Sequence, residues 1–121
     1  MPQLRSDLWC AAFVRRHNDI GDRAVVVRKG DPVAGQVWIE LDHLDGTVTL
    51  FAPAPAPYYE EKSHDRLFER RLTRAAPEAA RDRMEREARF DSDFWLLGLE
   101  TRSDNPGIDV VSDGKARGGT E

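Results

Sequence analysis

The amino-acid sequence predicts an α+β fold, with a mainly antiparallel sheet of four to five strands and two helices on one face. Three observations predict it. One segment at the start of the chain and one beyond its middle carry apolar residues at helical spacing. Short segments with alternating apolar residues occupy much of the remainder. Turns that contain glycine or proline separate these segments, so the predicted order is helix, three strands, a weaker strand, helix and strand.

The first predicted helix begins at Ser6, whose side chain is suited to an N-cap, and Asp7 stands in the first turn, where the helix dipole favours a carboxylate. Apolar residues recur at helical spacing and form one stripe: Leu8, Trp9, Ala12 and Phe13. Gly21 is a residue type that commonly follows the last turn of a helix. We therefore expect a helix that buries this stripe against the sheet.

Three predicted strands follow, at Ala24–Arg28, Gln36–Leu41 and Thr47–Phe51. The first is short and β-branched, which indicates a buried strand. The connections at 29–35 and 42–46 are rich in glycine, proline and aspartate, as turns are. Three strands joined by short turns predict an antiparallel meander.

The prolines of Ala52–Pro57 lack an amide hydrogen, so the meander is expected to end there. Arg66–Leu72 alternates weakly and is predicted as a strand. A second helix is predicted from Pro77 to about Arg89, because proline fits the first turn of a helix. Phe94–Thr101 is apolar on both faces, which predicts a strand at the centre of the sheet.

The chain of 121 residues has the length of one domain, which we assign to residues 1–102. A chain of this size buries roughly two thirds of the surface of its unfolded form, enough for one core without disulfides. Residues 103–121 are rich in glycine, aspartate and serine and have only isolated aliphatic residues. This composition predicts a disordered C-terminal tail.

Composition also limits the classes of function. The net charge of −4 gives no general attraction to nucleic acid or to anionic lipid. Charged residues interrupt the N-terminal segment, which argues against a secretory signal, and no stretch approaches the roughly 20 apolar residues of a membrane helix. The single cysteine, Cys10, excludes an internal disulfide. We therefore expect a cytoplasmic protein without membrane contact.

No motif predicts catalysis, a metal or a cofactor. Ser63, His64 and Asp65 are the residue types of a hydrolytic triad, but contiguous side chains in a loop point apart. Cys10 and His17 are two helical turns apart, which is too far for direct chelation of one ion. We expect that the protein is not an enzyme.

Paired carboxylates are the remaining candidates for chemistry. Glu40 and Asp42 alternate onto one face of a strand, where they could flank a substrate or an ion. Acid catalysis would require that one of the two be removed from water. Asp91 and Asp93 form a second pair, which we interpret as turn residues.

An aromatic surface is the strongest functional indication in the sequence. Trp38 lies on the strand face opposite Val37, Ile39 and Leu41. If both helices cover the aliphatic face, the other face needs a cover of its own, and exposed aromatic patches usually mark interfaces. We therefore expect an interaction module that binds a protein partner or a second copy of itself. Its predicted surface consists of four aromatic residues: Trp38, Phe51, Tyr58 and Tyr59.

Nucleic-acid binding is the alternative. Residues 66–89 contain eight arginines and five acidic residues, and such a surface could follow a phosphate backbone. The candidate contacts are four arginines: Arg70, Arg71, Arg74 and Arg81. The charges of the second helix alternate in sign, however, which is typical of an ordinary solvated helix face. RNA or DNA is therefore the less favoured partner.

An ordered set of short motifs resembles a known family. The motifs are SDLW at 6–9, AVVVRKGD at 24–31 followed by Gly35, LDGT at 44–47, PAP at 53–55 and RFDSDFW at 89–95. In this order they resemble a family of small alphaproteobacterial proteins known as domain of unknown function 1491, over about residues 4–102. The resemblance implies a bacterial cytoplasmic protein. It implies no activity, and no functional residues can be transferred from it.

Overall fold

The computed structural model describes residues 4–55, 66–104 and 106–111 of the chain. In the described part there are two helices and six strands. The helices are α1, Ser6–Asp19, and α2, Pro77–Phe90. The strands are β1, Arg23–Arg28; β2, Gln36–Asp42; β3, Val48–Pro53; β4, Leu67–Ala75; β5, Phe94–Glu100; and β6, Asp109–Val110. The predicted α+β class and the two helices are confirmed.

The six strands form one mixed sheet in the order β1-β5-β2-β3-β4-β6. β5 pairs with β1 antiparallel and with β2 parallel. The predicted meander of the first three strands is therefore wrong, because the most apolar strand of the chain separates β1 from β2. β2, β3 and β4 are the strands that run antiparallel in succession, and β6 joins β4 in parallel.

The two helices lie on opposite faces of the sheet, and the prediction that both cover one face is wrong. On the α1 face, Trp9 and Phe13 pack against Ile39 and Leu97. On the α2 face, Met84 packs in a cluster with other apolar side chains: Trp38, Leu50, Ala52, Phe94 and Leu96. The central strands are apolar on both sides, so each face requires its own helical cover.

The connection between β1 and β2 is not a hairpin. It supports the start of α1, since the amides of Ser6 and Asp7 donate to the carbonyls of Val33 and Pro32. Ser6 does not act as the predicted cap, because its hydroxyl donates to the Gly35 carbonyl at 2.6 Å. A Cβ on Gly35 would stand 2.8 Å from the Asp31 nitrogen, so this close contact requires glycine.

A segment that we call the strap, residues 101–111, crosses the α1 face from β5 to β4; residue 105 within it lies outside the described residues. Ile108 and Val110 pack against the core under α1, and the Val111 amide donates to the Phe68 carbonyl at 2.8 Å. The described part of the predicted disordered tail is thus ordered, because these isolated aliphatic residues find a place in the core. Residues 112–121 lie outside the described residues.

Candidate interaction groove

The predicted aromatic surface does not exist at Trp38. The side chain is only 2% exposed and lies under α2. The guanidinium carbons of Arg71 and Arg83 stand 5.4 and 5.2 Å from the centre of its ring, and Phe94 stands 6.5 Å away. Trp38 is therefore a core residue and is not available to a partner.

The other predicted aromatic residues do not complete a surface with Trp38. Phe51 is buried on the α1 face, so the sheet separates it from Trp38. The prediction of one shared surface is therefore wrong, and the strand partners show the opposite faces: Phe51 pairs with Ile39, and Trp38 pairs with Leu96. Tyr58 and Tyr59 lie outside the described residues.

The four candidate arginines are divided between the two sides of the sheet. Arg70 and Arg74 line one small cavity of about 190 Å³ together with His43, Thr49 and Asp104. Arg74 also forms ion pairs with Asp45 and Asp104, at 3.0 and 2.6 Å.

On the opposite side, Arg71 pairs with Glu69 at 2.6 Å and covers Trp38, while Arg81 lies on α2. No single row of free arginines results among the four, although a phosphate backbone would need one.

The structure gives little support for the other candidate chemistry. Burial raises the pKa of the Cys10 thiol to about 12, so the nucleophilic thiolate is suppressed at neutral pH. Across residues 4–55, 66–104 and 106–111, no group of three or more histidine, cysteine, aspartate or glutamate side chains is arranged to hold a metal ion. Ser63, His64 and Asp65 lie outside these ranges.

Among the residues that the structure describes, no helix covers a strip of the sheet on the α2 face, over β1 and the adjoining part of β5. α2 packs over β3 and β4 and reaches Trp38 of β2, which leaves the β1 end without a helix. Val25 and Val27 of β1 are consequently 45% and 59% exposed. The predicted burial of this strand is wrong, because β-branched composition does not distinguish an edge strand from a central one.

A groove of about 510 Å³ runs between this strip and α2. Its walls and floor are mainly apolar and include Val27, Met84, Ala88, Phe94 and Leu96. A shallower depression of about 290 Å³ continues along β1, and the two share Val27 and Glu40. We call the groove, the depression and the exposed valines together the β1 groove.

Gly98 of β5 shapes the floor of the β1 groove. It pairs with Val25, and a Cβ at this position would stand 3.2 Å from Val27 Cγ2 and 3.5 Å from Val25 Cγ2. Because glycine has no side chain, a shallow trough remains between β1 and β2. A larger residue would fill the trough and push the valines outward.

The β1 groove is acidic at one end. Glu40, Asp42 and Glu100 line the depression, accompanied by Arg23. Burial, and secondly repulsion from Asp42, raise the pKa of the Glu40 carboxyl, while the Arg81 charge opposes this shift. Glu40 and Asp42 lie on one strand face, as their alternation in the sequence predicts. A cationic group here would relieve the repulsion between them.

The other end of the groove has a fixed basic group. The Arg28 guanidinium lies 4.3 Å from the centre of the Phe94 ring and donates to the Ser92 carbonyl at 2.7 Å. Arg81 and Glu85 of α2 also line the groove. The arrangement is an apolar trough with charged borders, which is suited to binding rather than to bond making or breaking.

These features define the class of protein: a small α+β domain with a mixed sheet between two helices and one half-covered sheet face. A family model described as "Protein of unknown function (DUF1491)" matches residues 4–109. The chain belongs to this DUF1491 family, as the motifs predicted. No curated protein matches the chain. None of the helices in the described part of the chain is long and apolar enough to cross a membrane.

Solved structures of bacterial proteins are similar over nearly the whole chain. A crystal structure of a DUF1491 protein from Caulobacter crescentus CB15 is 31% identical, covers 90% of this chain and 98% of its own, and has a TM-score of 0.73. A solution structure of an A. tumefaciens protein is 32% identical, covers 91% and 96%, and has a TM-score of 0.79. An NMR structure of a C. crescentus DUF1491 protein is 30% identical, with coverage of 93% and 100% and a TM-score of 0.73.

Proposed function

We propose that the protein is a non-catalytic interaction module that binds an amphipathic helix of a partner protein in the β1 groove. The observation that carries the proposal is the apolar strip beside α2, with Val25 and Val27 exposed on it. The predicted interaction role is retained, but its surface moves from Trp38 and Phe51 to the β1 end of the sheet. A cytoplasmic setting accompanies the proposal, since the only cysteine is buried and remains a thiol.

The width of the strip supports a helix as the occupant. Neighbouring strands lie about 4.8 Å apart, and a helix with side chains is about 10 Å wide. β1 and the adjoining part of β5 therefore offer room for one helix, which would lie next to α2 and complete that layer. Recognition of a helix in a groove uses apolar anchors three and four residues apart.

Charge complementarity supports a partner with basic residues beside its apolar stripe. Three carboxylates, those of Glu40, Asp42 and Glu100, border the depression, against one arginine, Arg23. A lysine or arginine of the partner would pair with the half-buried Glu40 and favour its ionised form. An acidic helix would increase the existing repulsion.

A binding measurement with designed peptides tests the proposal. The probe is a fluorescent helical peptide with a leucine stripe flanked by lysines, and its counterpart carries glutamates in place of the lysines. We expect the basic peptide to bind and Val27→Asp to weaken binding at least about tenfold, because a carboxylate would enter the apolar trough. Equal binding of both peptides would contradict the proposal.

Val33→Asp is the matched control. Val33 is 56% exposed, close to the 59% of Val27, but lies in the connection before β2, away from the β1 groove. We expect this variant to bind the basic peptide like the unaltered protein. If Val27→Asp and Val33→Asp lose peptide binding equally, the binding depends on the overall charge of the protein. This result would overturn the proposed site.

Two further measurements address the alternative partners. If light scattering shows a dimer that Val27→Asp dissociates, a second copy of the chain occupies the groove. The proposal that a partner helix binds there would then be wrong. If a nucleic acid binds and Arg70→Glu with Arg74→Glu abolishes that binding, the functional surface lies on the other side of the sheet. A monomer that binds only the basic peptide supports the proposal.

A further inference from the structure

A small polar cavity lies on the α1 face, where β3 and β4 meet the connection after β2. Its volume is about 190 Å³, and its apolar lining is Leu41 and Phe51, which belong to the core under α1. The other lining residues carry polar groups that could bind a ligand. We call this cavity the arginine pocket, and its polar residues are His43, Thr49, Arg70, Thr73, Arg74 and Asp104.

Irregular pairing between β3 and β4 accompanies the arginine pocket. The register shifts on both sides of Leu50, and such bulges re-aim the side chains of a strand. Thr73 and Arg74 both line the pocket, although consecutive side chains of a regular strand point to opposite faces. Arg74 has a φ of 46°, in the left-handed region that residues other than glycine seldom adopt. Backbone strain of this kind occurs mainly at functional sites.

A chain of hydrogen bonds fixes two donors at the pocket. The Arg74 amide donates to the Thr49 hydroxyl at 3.1 Å, and this hydroxyl lies 2.7 Å from His43 Nε2. When the hydroxyl donates to Nε2 of a neutral ring, the ring carries its hydrogen on Nδ1, and an imidazolium carries one there as well. His43 Nδ1 is therefore a donor in both charge states. Only 7% of the His43 side chain is exposed, so its position is well fixed.

The carboxylate of Asp104 takes the place of an anionic ligand. Its Oδ1 lies 2.6 Å from Arg74 Nη2 and 3.8 Å from His43 Nδ1. The second distance is longer than a hydrogen bond, so this carboxylate satisfies only one of the two donors. The Asp104 side chain is 78% exposed, and exposed ion pairs contribute little to stability. A ligand can therefore replace it through rotation of one side chain, while the backbone of the strap keeps its position.

Arg70 adds a positive charge to the pocket. Its guanidinium carbon lies 5.7 Å from the centre of the Phe51 ring, and it forms no ion pair with any residue that the structure describes. Arg74 is paired with Asp45 at 3.0 Å as well as with Asp104. Once Asp104 turns away, two guanidinium groups share a single carboxylate. The forked geometry of such groups suits the oxygens of a phosphate or a carboxylate.

We propose that the arginine pocket binds a small oxyanion, a phosphate or a carboxylate, in place of the Asp104 side chain. The guanidinium groups of Arg70 and Arg74 and the His43 N–H donate to its oxygens, and the Thr73 hydroxyl is a further donor. The pocket lies on the face opposite the β1 groove. The proposal therefore goes beyond the proposed function, and neither depends on the other.

An NMR titration of the full chain tests the proposal. The probes are inorganic phosphate and malonate, a dicarboxylate, added at constant ionic strength. We expect saturable shifts of the Arg74 and Thr49 amides in the millimolar range or below, with the amides of β1 unchanged. The anion that binds more tightly identifies the ligand as a phosphate or a carboxylate. Absence of saturable shifts with both anions would overturn the proposal.

Asp104→Asn is the most informative variant, because the proposal predicts a gain of binding. Removal of the competing carboxylate should tighten binding about two- to fivefold, as expected for loss of an exposed ion pair. Asp19→Asn is the matched control, since it removes the same charge from an exposed residue of α1 outside the pocket. If both variants tighten binding equally, the anion responds to net charge and the proposed site is wrong.

Arg74→Gln should weaken binding at least about tenfold, because it removes a charge-assisted donor. Glutamine keeps the backbone amide that donates to Thr49. Arg15→Gln removes the same charge from an exposed residue of α1 and should bind like the unaltered protein. Undiminished binding by a folded Arg74→Gln protein would refute the proposal. If Arg74→Gln does not fold, the comparison at Asp104, which retains both arginines, decides.

Discussion

At the scale of single residues, Trp38 shows how strongly burial decides the role of an aromatic side chain. We predict that Trp38→Ala lowers the free energy of unfolding by about 3–5 kcal/mol, as is typical when a large core side chain is removed. Urea unfolding followed by circular dichroism measures this loss. A variant as stable as the unaltered protein would show that Trp38 is not a core residue.

Trp38→Phe provides the finer comparison. The Trp38 indole nitrogen has no hydrogen-bond partner within the described part of the chain, whereas the Trp95 indole donates to the Asp31 carbonyl at 2.9 Å. Trp95→Phe should therefore cost more stability than Trp38→Phe, because it removes a hydrogen bond to a carbonyl that keeps only the bond from the Gly35 amide. A larger loss of stability in Trp38→Phe than in Trp95→Phe would contradict this description of the two indole nitrogens.

At the scale of elements, the outer edge of β1 has its own protection. The Asn18 side chain accepts from the Ala24 amide at 2.8 Å and donates to the Ala24 carbonyl at 3.1 Å, as a neighbouring strand would. We predict that Asn18→Ala destabilises the protein by about 1–3 kcal/mol and promotes aggregation, because it exposes a strand edge. Thermal unfolding and light scattering measure the two effects.

The exposed neighbour Asp19 provides the control for this element. Asp19→Ala changes the same turn of α1 and should leave both the unfolding midpoint and the particle size nearly unchanged. If Asn18→Ala and Asp19→Ala change the unfolding midpoint and the particle size equally, the end of α1 is sensitive to any substitution. The protection of the β1 edge by Asn18 would then be contradicted.

At the scale of the whole molecule, the tertiary structure sets the charge balance around Glu40. Its pKa is raised, so the folded state disfavours the carboxylate, and stability is gained as the pH falls through the folded value. We predict that Glu40→Gln stabilises the protein by up to about 1 kcal/mol at neutral pH, a difference that disappears in acid. Unfolding experiments at both pH values measure it.

The same variant should bind the basic peptide less well, because it removes a carboxylate of the β1 groove. Such an exchange of stability for binding is common at functional sites. A Glu40→Gln protein that is both less stable at neutral pH and unchanged in binding would contradict the electrostatic description of the groove.

The sequence by itself determined the two helices, five of the six strands in the described part of the chain, and the family. Helical spacing predicted α1 and α2, alternation predicted β2 and β3, and apolar residues on both faces predicted the central position of β5. These features depend on residues close together in the chain, so local patterns reveal them. Alternation also placed Glu40 and Asp42 on one face, which is the part of the candidate site that was predictable.

Only the tertiary structure decided the strand order, the side on which each helix lies and the surface that remains uncovered. Alternation tells that a strand has two faces but not which element covers each, and pairing between distant segments leaves no local pattern. Trp38 therefore proved to be buried and Val27 exposed. Arg74 meets Asp104 of the strap, 30 residues away in the sequence, a proximity that only the folded chain creates.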